Sequence, residues 1–290
     1  FFVTAEKPHL GLYVVIAAGV TNMVLDFLFV GILGFGLAGA ALATVCGEFI
    51  GGLFPIFYFT RKNSSLLRLG KTQWNGHVLL QTCINGSSEL MTNLSSSIMN
   101  SLYNIQLMKF VGQDGVAAYG TIMYVNFVFL AIFFGYSIGS APIVSYHYGA
   151  GNHPELKNLF KKSLTLISSW GILLLVLSQL LAHPLSSLFV GYDADLLAMT
   201  EHGFRIYALM YLIAGFNIFG SSFFTALNNG GVSAAISFLR TLLFQIAAVL
   251  LLPMIFDIDG IWIAISVAEL LTLCVTATFL ITQRKKYHYA

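Results

Sequence analysis

Charge is scarce in this chain. Its 290 residues include 14 Lys and Arg and 12 Asp and Glu, 9% in all, where a soluble domain carries ~25%. That excludes an ordinary water-soluble globule, and a net charge of +2 provides no basic surface for nucleic acid. Cysteine is nearly absent as well. Cys46, Cys83 and Cys274 all fall inside apolar stretches, so they read as small core residues and as neither disulfides nor a metal set. No stretch has the shape of a cleavable signal peptide. The opening Phe1-Phe2-Val3-Thr4-Ala5 has no Met and reads as a start inside a longer protein.

Hydrocarbon is abundant: 57% of residues are hydrophobic and the mean hydropathy is +0.82. A bilayer-spanning helix needs ~20 mostly apolar residues. Eight stretches qualify, near 12–32, 37–60, 79–107, 116–146, 159–182, 201–227, 232–255 and 259–282. The expected fold is therefore an all-α polytopic membrane protein of about eight transmembrane helices, in contact with the lipid bilayer. Lys7, Arg61, Lys62, Arg68, Lys71, Lys157, Lys161, Lys162, Arg284, Lys285 and Lys286 lie in alternate connections or tails on one side. Lys109 and Arg205 lie on the other, and Arg240 falls within a span. The positive-inside rule then makes both termini cytoplasmic in a multi-pass plasma (inner) membrane protein.

The first two spans are expected to fold back through Gly34-Phe35-Gly36-Leu37-Ala38-Gly39. If the bend centres near Phe35, residues whose numbers sum to 70 sit at equal depth, pairing Asp26 with Thr44 and Asn22 with Glu48. Asn22 and Asp26 share one helix face, as do Thr44 and Glu48. Four oxygen-bearing side chains are thus expected between two greasy helices. A carboxylate in hydrocarbon costs at least ~2.5–3.5 kcal/mol, which makes Asp26 a candidate ion or proton site. The structural alternative is a neutral Asp26 hydrogen-bonded as packing glue.

The basic, Ser- and Asn-containing segment Arg61–Gly76 marks the expected domain boundary, giving 1–61, a linker at 62–76, and 77–290. The third span is unusually polar. Glu89, Asn93, Asn100 and Asn104 recur at helical spacing on one face, which is expected to border a cavity, while its Ser residues fit close packing equally well. Val116–Tyr146 is expected to end in a loop over Tyr146–Pro154. His147 and His153 in that basic loop, with few carboxylates near, do not read as metal ligands. Gly34–Gly39 also fits G-x-G-x-x-G, but the dinucleotide fingerprint needs a preceding strand. Between membrane helices, these glycines read as a tight turn and close packing.

An offset of 221 residues gives an internal repeat. Phe2, Thr4 and Ala5 match Phe223, Thr225 and Ala226, and Gly39, Ala43 and Glu48 match Gly260, Ala264 and Glu269. The final hairpin thus repeats the first, and a parent of two six-helix halves is expected, with roughly four N-terminal spans absent here. Repeated halves around a cavity are a plan of secondary transporters. Asp26 and Thr44 correspond to Ala247 and Ile265, so the proposed site belongs to the first half, and only the acid Glu48 recurs, as Glu269.

Three segments resemble the multidrug and toxic compound extrusion (MATE) family: Thr21–Asp26 with Gly39–Thr44, Ala141–Ala150, and Asp259–Trp262. Their order fits spans five to twelve of a twelve-helix, two-lobe, inverted-V transporter. The resemblance implies efflux of organic, often cationic, compounds in exchange for Na⁺ or H⁺, with no other cofactor and no enzyme activity. It implies a first-lobe ion site that includes Asn22, Asp26 and Thr44, completed by helices of the same protein that this chain does not contain. Glu89 is similar to a second-lobe acid of other members, whose tenth-span partner falls at Gly220 here. Glu48, Glu269, Asn93, Asn100 and Asn104 join Glu89 as expected cavity or coupling residues. A lipid-linked oligosaccharide flippase of similar plan would be expected to need a cationic cavity, yet only Arg240 lies within a span. A nontransporting membrane fragment is the third reading.

Overall fold

In the computed structural model, which describes residues 1–65, 67–70 and 74–290, the chain folds into helices and, among the described residues, contains no strand. Lys71 of the basic linker lies outside the described residues. The chain divides into two compact units, Phe1–Asn75 and Gly76–Ala290.

The first unit is a hairpin. Pro8 lacks an amide proton, which is no loss in the first turn of a helix, and α1 starts there, Pro8–Asp26. Pro8 therefore opens the helix. A π-helical stretch, Phe27–Ile32, continues it to the bend, and α2 returns over Gly36–Thr60. Gly34 and Gly36 take φ of +67° and +54° at the turn, where an L side chain would be strained. Beyond α2, Asn63 Nδ2 donates to the carbonyls of Tyr58 and Leu67, folding the start of the linker over the helix end.

The second unit contains eight α-helices among the described residues. They are α3 (Gly76–Phe110), α4 (Gln113–Gly149), α5 (His153–Val190), α6 (Ala194–Tyr207), α7 (Tyr211–Ala226), α8 (Gly230–Phe238), α9 (Gln245–Leu251) and α10 (Pro253–Tyr287). A short 3₁₀ turn joins α6 to α7, and a π-helical stretch, Leu239–Phe244, joins α8 to α9. Each pair forms one span. Tyr146–Gly149, expected in a loop, are the last turn of α4 instead. The connection shrinks to Ala150–Asn152: Gly151 breaks the helix at φ +66°, and Asn152 caps α5, its side chain accepting from Glu155 N. His183 pairs with Glu201 at 2.8 Å and His202 with Asp259 at 2.8 Å, holding α6 to α5 and α10 at the end opposite the α5 N-terminus.

Among the described residues, seven helical stretches are long and apolar enough to cross a membrane, matching seven of the eight expected spans. The eighth, α3, has the length but not the composition. It copes by bonding its polar side chains locally. Thr82, Thr92, Ser96 and Ser101 donate to carbonyls four residues back, a pattern that satisfies hydroxyls without leaving the helix. Ser88 and Ser95 are buried on the packed face, where small side chains allow close approach.

The 221-residue repeat is visible in the backbone. Ala43 and Ala264 are both fully buried, and Gly39 and Gly260 both pack where a Cβ would strike the preceding helix or turn. The left-handed turn residue Gly36 corresponds to Asp257, which breaks α10 with φ 49° and ψ −130°. Glycine occupies that conformation freely and Asp does not. Asp257→Gly should therefore stabilise the protein by about 1 kcal/mol, raising its melting temperature in detergent by roughly 2–4 °C. An unchanged or lower melting point would count against strain at this bend.

Candidate functional site

The hairpin register can be read from its glycines. Gly39, Ala43 and Gly47 are the buried residues along the upper part of α2. A Cβ at Gly47 would lie 3.0 Å from Ala18 O and 3.2 Å from Asn22 Cβ, and one at Gly39 would lie 3.0 Å from Phe29 Cβ. Small residues every fourth position let two membrane helices touch backbone to backbone. By these contacts Asp26 falls near the depth of Leu42, two residues from Thr44.

The expected pairing of Asp26 with Thr44 is thus offset by about two residues in depth, and the arrangement around the axis differs. The α2 side of the seam is glycine and alanine, which leaves Thr44 and Glu48 no place in it. Thr44 and Glu48 are exposed, and Asn22 and Asp26 are half-buried. Thr44 and Glu48 therefore lie to the side of the seam on α2, while Asn22 sets its Cβ against Gly47 and Asp26 buries one carboxylate oxygen.

Asp26 ends the regular part of α1, where the chain passes into the π-helical stretch, a geometry often found at functional sites. Its Oδ1 is buried and accepts no hydrogen bond among the described residues. An orphaned buried oxygen is costly and is relieved by a proton or a small cation. Thr44 Oγ1 donates to Ala40 O at 3.0 Å, so its lone pairs stay available as ligands. Asn22 makes no side-chain hydrogen bond among the described residues, which leaves its carbonyl oxygen free for the same task.

In the second unit, Glu89, Asn93 and Asn100 are exposed and Asn104 is half-buried, on the face of α3 opposite Ser88, Ser95, Met99 and Tyr103. Asn93 Nδ2 donates to Glu89 O. Asn100 and Asn104 enter a cleft of about 850 Å³ that Tyr119, Tyr124 and Phe129 of α4 and Phe189 of α5 also line. Tyr124 and Phe189 stack nearly parallel, with ring centroids 5.8 Å apart. Aromatic faces with a few convergent amides suit a flat apolar molecule, and a cation above all. Glu89 lies eleven residues before Asn100 along α3, roughly 16 Å away at 1.5 Å per residue, and does not line this cleft.

Glu269 does not line it either. It is 1% exposed and closed in an ion pair: Arg240 Nη2 lies 2.7 Å from Glu269 Oε1, and Arg240 Nε donates to the same oxygen at 2.7 Å. Asn217 Nδ2 donates to Glu269 Oε2 at 2.7 Å and to Glu269 O at 2.9 Å, and Thr276 Oγ1 donates to Asn217 Oδ1 at 2.9 Å. Arg240 sits in the π-helical stretch after α8, so the network ties that stretch to α7 and α10. Gly220 packs directly on the Thr276 side chain, which leaves no space for an acid there. The α7 residue that joins this network is Asn217, three residues earlier. Sequence reasoning passed over Asn217 and Thr276. The available signal was Arg240 itself, since a lone cation in a span requires a partner.

Comparison with known proteins follows this geometry. Solved structures similar to this chain include a MATE in complex with MaL6 (TM-score 0.87, 19% identity, 94% of this chain and 62% of the other). A second is the outward-facing conformation of a multidrug resistance MATE family transporter of the MOP superfamily (TM-score 0.85, 19% identity, 94% and 62%). A third is a MOP superfamily transporter from Pyrococcus furiosus (TM-score 0.83, 19% identity, 93% and 61%). At such identity these establish the fold alone. Multidrug export protein MepA of Staphylococcus saprophyticus subsp. saprophyticus is 22% identical over 276 residues, covering 94% of this chain and 60% of the relative. MepA of Staphylococcus haemolyticus is 22% identical over 270 residues, covering 92% and 58%. The chain thus spans about three fifths of the length of these relatives. The MatE family profile matches residues 90–251, more than half of the chain, from the polar face of α3 to the end of α9. With a helical membrane fold of the same plan on either side of that match, the chain belongs to the MatE family.

Proposed function

We propose that this chain works in multidrug efflux by cation-coupled antiport, moving organic, often cationic, compounds against Na⁺ or H⁺. The observation that carries this reading is the buried Asp26 oxygen with no hydrogen-bond donor. A proton or Na⁺ is the partner that such an atom lacks. Asn22 and Thr44 supply neutral oxygens on the flanks of the same hairpin, and no further cofactor is invoked. Occupancy changes Asp26 from an anion to a neutralised group, and this difference biases one packing of the helices over another. In this reading residues 1–61 close a first lobe, 62–76 link the lobes and 77–290 form the second, with basic connections and both termini on the cytoplasmic side of the plasma membrane. The names of the MepA relatives, both multidrug export proteins, support the substrate class. The pairing of Arg240 with Glu269 weighs against the oligosaccharide flippase, because it occupies a cation within a span that a pyrophosphate would need.

The aromatic cleft holds the transported compound in this account. A test is efflux of a fluorescent planar cation from a host stripped of its own pumps. Expression should lower accumulation, and collapsing the Na⁺ and H⁺ gradients together should restore it. Tyr124→Ala removes one face of the stacked pair and should weaken the apparent affinity for the planar cation by about 2- to 30-fold, the range of one cation–π contact. Accumulation that expression leaves unchanged would favour the nontransporting fragment.

A further inference from the structure

One end of the second unit gathers positive charge on a folded surface. After α10 the chain turns back at His288, φ 56°, and Tyr289 buries itself against α5. Its ring centroid lies 5.0 Å from that of Phe160, and its hydroxyl donates to Leu280 O at 2.8 Å. The same turn sets the His288 ring 4.8 Å from His153, and Tyr287 packs 5.6 Å from Tyr148. The tail therefore fixes the last turn of α10 beside the first turns of α5. Arg284, Lys285 and Lys286 come from one helix, Lys157 and Lys161 from the other, and all five are exposed. Lys157 and Lys161 follow His153 at four-residue steps along one stripe of α5, and Arg284 precedes His288 by four. The touching rings thus join two cationic stripes into a single ridge. The acid on this part of α5, Glu155, is occupied by Asn158.

We propose that this ridge is a docking site for the phosphate headgroup of an anionic phospholipid in the leaflet at that end. Position argues for lipid. Both helices carry apolar stretches able to span the bilayer, so their basic ends lie at headgroup level, and the exposed Tyr146 stands where interfacial aromatics anchor a membrane protein. Charge supplies the selectivity. Clusters of four to eight Lys and Arg beside a span attract anionic lipid, each strengthening the association about five-fold. The positive end of the α5 dipole adds to them. The tail is what makes this a site and not a scatter of lysines, because Tyr289 holds the two stripes together.

Native mass spectrometry of the purified chain, released from vesicles of phosphatidylcholine with phosphatidylglycerol, tests the proposal. The protein should retain phosphatidylglycerol in preference to phosphatidylcholine. The variant K157Q/K161Q/R284Q/K285Q/K286Q should lose that preference by about ten-fold or more. The charge-retaining variant K157R/K161R/R284K/K285R/K286R should keep it, which separates charge from folding. Tyr289→Ala, with every charge present, should weaken it as the stripes separate. Equal retention by the glutamine variant would overturn the proposal. So would displacement of the lipid by millimolar inorganic phosphate, which would indicate a site for free anions.

Discussion

Glu269→Gln should destabilise the second unit by about 3–5 kcal/mol, the cost of removing one partner of a buried ion pair. For a unit of this size that lowers the melting temperature by roughly 6–20 °C. The loss has two sources. Arg240, with 12% of its side chain exposed, keeps its charge and loses its counter-charge. The new amide also cannot accept on both sides: if its oxygen faces Arg240, its NH₂ meets the NH₂ of Asn217, which now donates to Oε2. Arg240→Met should cost a similar amount by leaving the carboxylate uncompensated. The informative variant is the double change Arg240→Met/Glu269→Leu. It removes both charges while Asn217 keeps the Glu269 backbone carbonyl and Thr276 as partners, so most of the stability should return. Thermal unfolding in detergent measures all three. If the double variant is as unstable as the sum of the singles, the two residues do not act as a pair.

That network shows where the sequence stopped being legible. Hydropathy alone located the spans, because a stretch of about twenty apolar residues has few other fates, and even the polar α3 was recognisable by its length and spacing. The turn was legible because Gly34 and Gly36 are cheap where φ is positive. Long-range partners were not. Asn217 and Glu269 lie 52 residues apart, and nothing local in either helix specifies the other. The break at Asp257 was legible, because apolar stretches end near 255 and resume near 259, whereas the positive φ of the Asp itself was not.

The hairpin was legible in depth to about two residues, and not in rotation. Depth follows from counting away from the bend. Rotation depends on which stripe of α2 meets α1, and Gly39, Ala43, Gly47 and Gly51 already marked that stripe in the sequence. Small residues at four-residue spacing predict the contact face, so Thr44 and Glu48, each one residue further on, must lie to its side. Giving Thr44 and Glu48 the seam put them where the backbone approach excludes them. The flank remains a usable place for a ligand set, because lone pairs pointing along a seam reach a small ion as well as those pointing across it.

Asp26→Asn should abolish coupling while leaving the fold intact. The side chain keeps its size, its place before the π-helical stretch and the burial of one terminal atom, so the melting temperature should move little. What is lost is the charge that alternates between empty and neutralised. The dependence of transport on the ion gradient should fall by about 5- to 150-fold, the usual range of a coupling free energy of 1–3 kcal/mol. Asn also mimics the neutralised carboxylate, so the variant should rest in the packing that the bound ion favours and bind the transported cation without releasing it on demand. Asp26→Glu retains the charge but moves it by one methylene, and should restore part of the gradient dependence. Thr44→Val removes one candidate ligand oxygen and, if Na⁺ is the coupling ion, should raise the Na⁺ concentration needed for half-maximal efflux without changing the response to pH. The readout is efflux from proteoliposomes under a Na⁺ gradient, a pH gradient or neither. Gradient-driven efflux that persists undiminished in Asp26→Asn would remove the carboxylate from the mechanism and return Asp26 to the role of packing glue.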